Sequence, residues 1–93
     1  MSEHIWFRDD PLKHARETTR DTCMIEHIGI ELIEAGDDFM RGRMPVDERT
    51  RQPYGILHGG ASVVLAETLA SVASSWVIDP ATSICVGLEI NAN

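Results

Sequence analysis

The chain has 93 residues, of which 43% are apolar and 25% are charged, and its formal net charge is −7. This length allows a single domain over residues 1–93 with the composition of a globular protein. The acidic balance argues against nucleic acid as a partner, because no net basic field attracts phosphates. No run of about 18 uncharged apolar residues is present, so we expect no membrane span. Two cysteines, Cys23 and Cys85, are too few for a disulfide framework and favour a reducing cytoplasm.

The N-terminal half predicts one helix followed by a hairpin. Asp10 and Pro11 suit the cap and the first turn of an amphipathic helix, which we expect to continue to about Cys23. Residues 28–46 change to a two-residue alternation that a Gly-Asp-Asp turn interrupts, which predicts two antiparallel strands. On the second strand, the predicted inward face carries Met40, Met44 and Val46, and the other face carries Arg41 and Arg43.

A long connection and a long helix follow. The connection from Asp47 to Leu57 is irregular, and loops of this length in a small domain are often functional. The helical pattern starts at His58 and ends at about Val77 or Ile78, and Glu67 is its only ionisable residue after Gly60. A helix that is apolar around most of its circumference is expected to be buried on most sides. Its predicted packing stripe consists of Val63, Ala66, Ala70, Ala73 and Val77.

The last eleven residues predict a third strand, because apolar residues alternate strictly with others from Ile84 to Ile90. The chain stops three residues later. Three strands form a narrow sheet with two exposed edges, which leaves a buried helix without enough cover. We therefore expect either that a partner chain covers the helix or that the sequence is part of something longer.

The residues with chemical potential lie on and just before the long helix. An ionised carboxylate is costly to bury without partners, so Glu67 inside an apolar helix indicates a candidate acid or base, which Ser71 one turn later can hydrogen-bond. Gly59 and Gly60 expose free amides at the positive end of the helix dipole, as an oxyanion site requires. Gly59 and Glu67 are about 12 Å apart along the axis. One carbonyl group can reach both only if two helices lie antiparallel in a dimer, which predicts a shared site.

The run from Gln52 to Ser71, QPYGILHGGASVVLAETLAS, strongly resembles the hotdog-fold acyl-CoA thioesterases. The likeness is greatest to the branch that acts on aryl-CoA, including the 1,4-dihydroxy-2-naphthoyl-CoA thioesterase of menaquinone and phylloquinone synthesis. The flanking runs MPVD at 44–47 and VGLEINAN at 86–93 are similar to the same branch. The resemblance implies an α+β hotdog fold, an antiparallel sheet wrapped around a long central helix, here cut after the third strand.

The resemblance also implies a role for each matching residue. Glu67 matches the catalytic carboxylate that acts as nucleophile or general base, and Gly59 matches the amide that binds the thioester oxygen. Gln52 and His58 match the residues that orient the thioester and the attacking water, and Ser71 matches the assisting hydroxyl. It implies that Glu67 and Ser71 serve a site whose other residues come from the neighbouring subunit. We expect substrate contacts from Gly60, Val64 and Tyr54.

The resemblance implies an acyl-CoA substrate, a homodimer or dimer of dimers, and no cofactor, since coenzyme A is part of the substrate. We expect no metal. Three alternatives remain open at this point. The chain is a non-catalytic acyl-CoA-binding or oligomerisation module, an inactive truncated fragment of a thioesterase, or a hotdog dehydratase, whose His–acid pair the motif fits poorly. By default Arg41, Arg43, Arg49 and Arg51 form a solvated face, with contact to CoA phosphates as the alternative.

Overall fold

A computed structural model describes residues 3–19 and 23–93. In this part of the chain, three helices and two strands occur in the order ααββα. The helices are α1 (Pro11–Thr18), α2 (Met24–His27) and α3 (Gly59–Ser75), and the strands are β1 (Glu31–Ala35) and β2 (Met40–Arg43). None of the helices described is long and apolar enough to cross a lipid bilayer.

Helix α1 begins as the sequence predicts and ends earlier. Asp10 is the cap in a left-handed conformation, with φ of 55°, and its carboxylate accepts a hydrogen bond from the Lys13 amide. The helix ends at Thr18, so the predicted extension to Cys23 is wrong where the structure describes it, and its residues 20–22 lie outside the described residues. Arg16 ties α1 to the sheet, because its Nε donates to the Leu32 carbonyl at 2.9 Å.

The predicted antiparallel hairpin is confirmed. β1 pairs with β2 in a register that places Leu32 opposite Gly42, and a bulge at Ile33 shifts the pairing before Glu34. The predicted apolar alternation is observed before the bulge, because Ile28, Ile30 and Leu32 are all buried. The inward face predicted for β2 is partly wrong, because its methionines are half-buried but Val46 lies beyond the strand and is 56% exposed.

Helix α3 packs on the hairpin through a face that the sequence did not single out. A Cβ at Gly42 would lie 2.8 Å from Leu69 Cδ2, so the helix approaches β2 where the strand has no side chain. Thr68 beside it is the buried residue of α3, whereas Ala66 and Ala70 of the predicted packing stripe are exposed. A helix that is apolar on every side gives no sequence signal for the face that meets the sheet.

The predicted third strand is not formed. Residues 83–93 have no regular secondary structure, because a strand exists only with a hydrogen-bonded neighbour and the described residues offer none to this segment. We call residues 83–93 the terminal segment. It lies along α3 in the opposite direction, with Cys85 Sγ donating to the Ser74 carbonyl at 3.6 Å and Gly87 against Glu67.

Candidate active site

The first turn of α3 is organised by His58. This residue has the extended backbone of a cap, and its Nδ1 accepts a hydrogen bond from the Gly60 amide at 2.8 Å. An imidazole that accepts at Nδ1 carries its proton on Nε2, so the exposed edge of the ring is a hydrogen-bond donor. Gly60 has no side chain because a Cβ there would lie 2.9 Å from the ring.

The amide of Gly59 is the free donor at this helix end. The Ala61 amide is bonded to the His58 carbonyl at 2.9 Å, and the Gly60 amide is bonded to the His58 ring. No partner for the Gly59 amide exists among the described residues, and a Cβ on Gly59 would meet nothing within 4 Å. The helix therefore presents one open amide with the positive end of its dipole behind it. The prediction of a second free amide at Gly60 is wrong, because the His58 ring accepts its hydrogen bond.

The connection before α3 folds back on itself as a small turn. The Gln52 amide donates to the Ile56 carbonyl at 2.8 Å, and Gly55, with φ of 88°, occupies the left-handed position of the turn. The Gln52 side-chain oxygen accepts from the Tyr54 amide, so the carboxamide is directed at its own turn. Tyr54 is 91% exposed at the tip. The predicted contacts of Gln52 and Tyr54 with substrate remain predictions.

A buried threonine that sequence reasoning missed fixes this connection. Thr50 is 2% exposed, and its Oγ1 donates to the Pro45 carbonyl at 2.7 Å and accepts from the Asp47 amide at 3.1 Å. Its carbonyl accepts the His58 amide at 2.8 Å. Thr50 thereby links the end of the hairpin to the start of α3. The signal in the sequence was weak, since a Thr three residues after an Asp is only a common turn pattern.

Arg49 and Asp47 form the second support of the connection. Arg49 Nη2 and Asp47 Oδ2 are 2.6 Å apart, and Arg49 Nη1 donates to the His27 carbonyl at 3.0 Å. Hydrogen bonds from the Arg49 side chain and amide lower the pKa of Asp47 below its usual value. Three of the four arginines predicted as a solvated face are ion-paired, Arg41 with Glu34, Arg43 with Glu31 and Arg49 with Asp47.

Glu67 lies in the middle of α3 between two pockets. One pocket, of about 480 Å³, lies between α3 and the terminal segment and is lined by Glu67, Ser71 and residues 84–90. The other, of about 410 Å³, is mostly apolar and is lined by Glu67, Ser71, Val64 and the α2 residues Met24 and Ile25. Glu67 is half-buried, and no hydrogen bond joins it to Ser71 in the described structure.

The structure therefore separates the predicted site residues into two groups. Glu67, Ser71 and Val64 meet at the pockets in the middle of α3. The residues Gln52, Tyr54, His58, Gly59 and Gly60 lie together at the start of the helix, about 12 Å away along its axis. Each group offers one half of the chemistry of acyl transfer, a carboxylate or an oxyanion donor. Within the described residues, no group of three or more His, Cys, Asp or Glu side chains is arranged to hold a metal ion.

The chain is similar in sequence and structure to bacterial proteins named thioesterases. Over 89 residues, 96% of the chain, it is 46% identical to the proofreading thioesterase EntH of Cronobacter turicensis. It superposes on a mutant form of the thioesterase PA1618 of Pseudomonas aeruginosa with a TM-score of 0.88, and on the thioesterase HI1161 of Haemophilus influenzae with a TM-score of 0.86, each at 42% identity over 96% of the chain. No family model matches the chain.

The likeness covers nearly the whole chain and part of each relative. The chain spans 64% of EntH, 63% of the PA1618 structure and 61% of the HI1161 structure. At this TM-score and identity the fold is shared, so the predicted α+β hotdog architecture is confirmed.

Proposed function

We propose that the chain carries the two half-sites of a thioesterase that hydrolyses an acyl-CoA thioester to free acid and CoA. Glu67 acts as the nucleophile or the general base, and the Gly59 amide binds the oxygen of the thioester carbonyl. The observation that carries the proposal is the pairing on one helix of a carboxylate beside a pocket with an unpartnered amide at the positive end. The similarity to bacterial thioesterases supports the same reaction.

The pocket beside α2 supports an apolar acyl group. Its lining is Met24, Ile25, Val63, Val64, Glu67, Thr68, Ser71, Val72 and Ile90, which has Glu67 as its only ionisable side chain. A flat aromatic acyl group suits such a pocket, because aromatic rings bury a large apolar area. We propose an aryl-CoA such as benzoyl-CoA or a hydroxynaphthoyl-CoA, the substrate of the menaquinone-pathway branch that the sequence resembles. Coenzyme A is part of this substrate, and the proposed chemistry needs no cofactor.

We further propose that the two half-sites meet across a two-fold axis in a homodimer. The separation of about 12 Å along one helix prevents a single carbonyl group from contacting both the Gly59 amide and the Glu67 carboxylate of the same chain. Two helices packed antiparallel place the start of one beside the middle of the other. Both cysteines are free thiols, which agrees with a reducing cytoplasm as the proposed location.

Hydrolysis of benzoyl-CoA and of a hydroxynaphthoyl-CoA, followed by release of free thiol, tests the reaction. We expect turnover by the wild-type chain and none above background by Glu67→Gln, which keeps the shape and removes the charge. Glu89→Gln is the matched control, because Glu89 lines one of the same pockets. Binding of the substrate without turnover by the wild type would instead support the non-catalytic acyl-CoA-binding module. Equal rates in the wild type and Glu67→Gln would remove Glu67 from the mechanism.

Subunit mixing tests the shared site. Gly59→Pro removes the amide, and Glu67→Ala removes the carboxylate, so neither variant alone has an intact site. After both are unfolded and refolded together, half of the dimers contain one subunit of each kind, and each such dimer has one intact site out of two. About a quarter of the wild-type activity should therefore return. No return of activity would show that both groups act from the same subunit.

A further inference from the structure

Gly87 of the terminal segment lies against the Glu67 carboxylate. A Cβ built on Gly87 would be 2.7 Å from Glu67 Oε1 and 3.8 Å from the carboxyl carbon, and no other atom outside its chain neighbours would come within 4 Å. An oxygen and a methyl carbon cannot share that separation without movement. The space that a side chain at position 87 needs is therefore the space that the Glu67 carboxylate occupies.

The glycine at this position has no other structural reason in the described residues. The glycines with positive φ are Gly29 and Gly55, so the backbone of Gly87 does not require glycine. The residues on either side, Val86 and Leu88, have the large side chains that a strand pattern favours. An isolated glycine in such a pattern marks a close approach of another group. Here that group is Glu67.

The close approach matters because little else fixes the carboxylate. The Glu67 side chain makes no hydrogen bond or ion pair with any residue that the structure describes. The carboxylate lies where the two pockets meet, since Glu67 and Ser71 line both. The direction of a long side chain without polar partners is set by the atoms packed against it. On the side of the terminal segment, those atoms are the backbone of Gly87.

We propose that Gly87 is a positioning residue. Because it has no side chain, the Glu67 carboxylate can lie against its backbone, between the two pockets. This inference rests on the proposed function of Glu67. A methyl group at position 87 displaces the carboxylate towards the apolar pocket and away from the reacting carbonyl. A misplacement of about 1 Å in a catalytic group can cost about 10²-fold in rate.

Gly87→Ala tests the inference by steady-state kinetics on benzoyl-CoA. We expect kcat to fall by about ten- to a hundredfold with KM nearly unchanged, because the substrate pocket remains and only the carboxylate moves. Ser83→Ala, in the same segment but without contact to Glu67, is the matched control and should leave both constants unchanged. A wild-type kcat in Gly87→Ala would overturn the inference and leave the proposed hydrolysis standing.

A double-mutant cycle separates positioning from general damage. Glu67→Asp shortens the side chain by one methylene, which opens room for a methyl group at position 87. We expect Gly87→Ala to lower kcat much less in the Glu67→Asp background than in the wild type. Equal losses in both backgrounds would mean that the methyl group acts by another route, and the inference would fail. Loss of folding in Gly87→Ala that Glu67→Asp rescues would support the same steric contact.

A measurement without substrate keeps the inference independent of the reaction. In a chain labelled with ¹³C at glutamate carboxyl groups, the Glu67 resonance is assigned by its disappearance in Glu67→Gln. We expect this resonance to move in Gly87→Ala and to stay in place in Ser83→Ala. An unmoved resonance overturns the inference. If the resonance moves but the wild type hydrolyses no thioester, the contact stands and the proposed function is the part that fails.

Discussion

Two irregular regions flank α3, and they differ in how they are held. The connection of residues 47–58 is held by its own hydrogen bonds, since the Thr50 hydroxyl donates to the Pro45 carbonyl and the Gln52 amide donates to the Ile56 carbonyl. Residues 84–90 of the terminal segment make no backbone hydrogen bond to any residue that the structure describes, and Leu88 among them is 95% exposed. The connection can therefore position the Gly59 amide through its own hydrogen bonds. The position of the terminal segment depends on the residues that pack against it.

The largest effect should come from removing the donor that the rigid region places. Gly59→Pro deletes the amide without disturbing the helix, because proline suits its first position and His58 already has the extended backbone, with ψ of 128°, that precedes a proline. Loss of one oxyanion donor should lower kcat by about 10²–10³-fold. Gly59→Ala keeps the amide and should remain active. Equal rates in the two variants would show that the amide takes no part.

The buried hydroxyl that supports the connection should come next. Thr50→Val keeps the shape but leaves the Asp47 amide and the Pro45 carbonyl without their partner. We expect a loss of about 1–3 kcal/mol in the free energy of unfolding, measured by urea titration. Thr82→Val is the control, because Thr82 is exposed and should stay within about 0.5 kcal/mol. A similar cost at both positions would show that the buried Thr50 hydroxyl gives the connection no special support.

Hydrogen exchange followed by NMR measures the same contrast amide by amide. The amides of Arg51, Gln52 and His58 are hydrogen-bonded, at 3.0, 2.8 and 2.8 Å. We expect them to exchange at least about tenfold more slowly than the amides of residues 84–90, which have no backbone acceptor in the described structure. Equal exchange in the two regions would mean that the connection is no better held than the terminal segment.

The smallest effect should be the pH dependence of the ion pair in the connection. The pKa of Asp47 is lowered by its hydrogen bonds to Arg49, so the pair stabilises the fold above the usual aspartate value of about 3.9 and loses that contribution as the pH falls through the folded value. Asp47→Asn should lower the urea midpoint at neutral pH. The difference from the wild type should shrink below about pH 4. A difference that is constant with pH would rule out the charge as its cause.

The parts of the fold that local sequence determines were predictable. The start of α3 follows from a helical pattern that begins at His58 and two glycines, and the hairpin follows from alternation around a turn. The sequence could not show whether the third strand forms, because a strand needs a hydrogen-bonded neighbour and periodicity does not reveal one. The four-residue helix α2 has no period long enough to detect.

The candidate site was predictable as a set of residues and less so as an arrangement. Glu67 was visible as a lone acid in an apolar helix. The occupied Nδ1 of His58 and the inward turn of the Gln52 carboxamide were not visible, because short-range hydrogen bonds compete with any external partner. Gly87 acts through its contact with Glu67, which is distant in sequence, whereas Thr50 acts through short-range hydrogen bonds to Pro45, Asp47 and His58 in a common kind of turn. Their residue types alone carry no distinctive signal.

The contact of the Leu69 side chain with the backbone of Gly42 sets the rotation of α3 about its own axis. Successive residues turn by about 100°, so Glu67, two positions before Leu69, points about 200° away from the sheet. The absence of a side chain at Gly42 therefore fixes the direction in which the Glu67 side chain leaves the helix. A larger residue at position 42 would rotate α3 and redirect the Glu67 side chain, although position 42 is not in contact with the site.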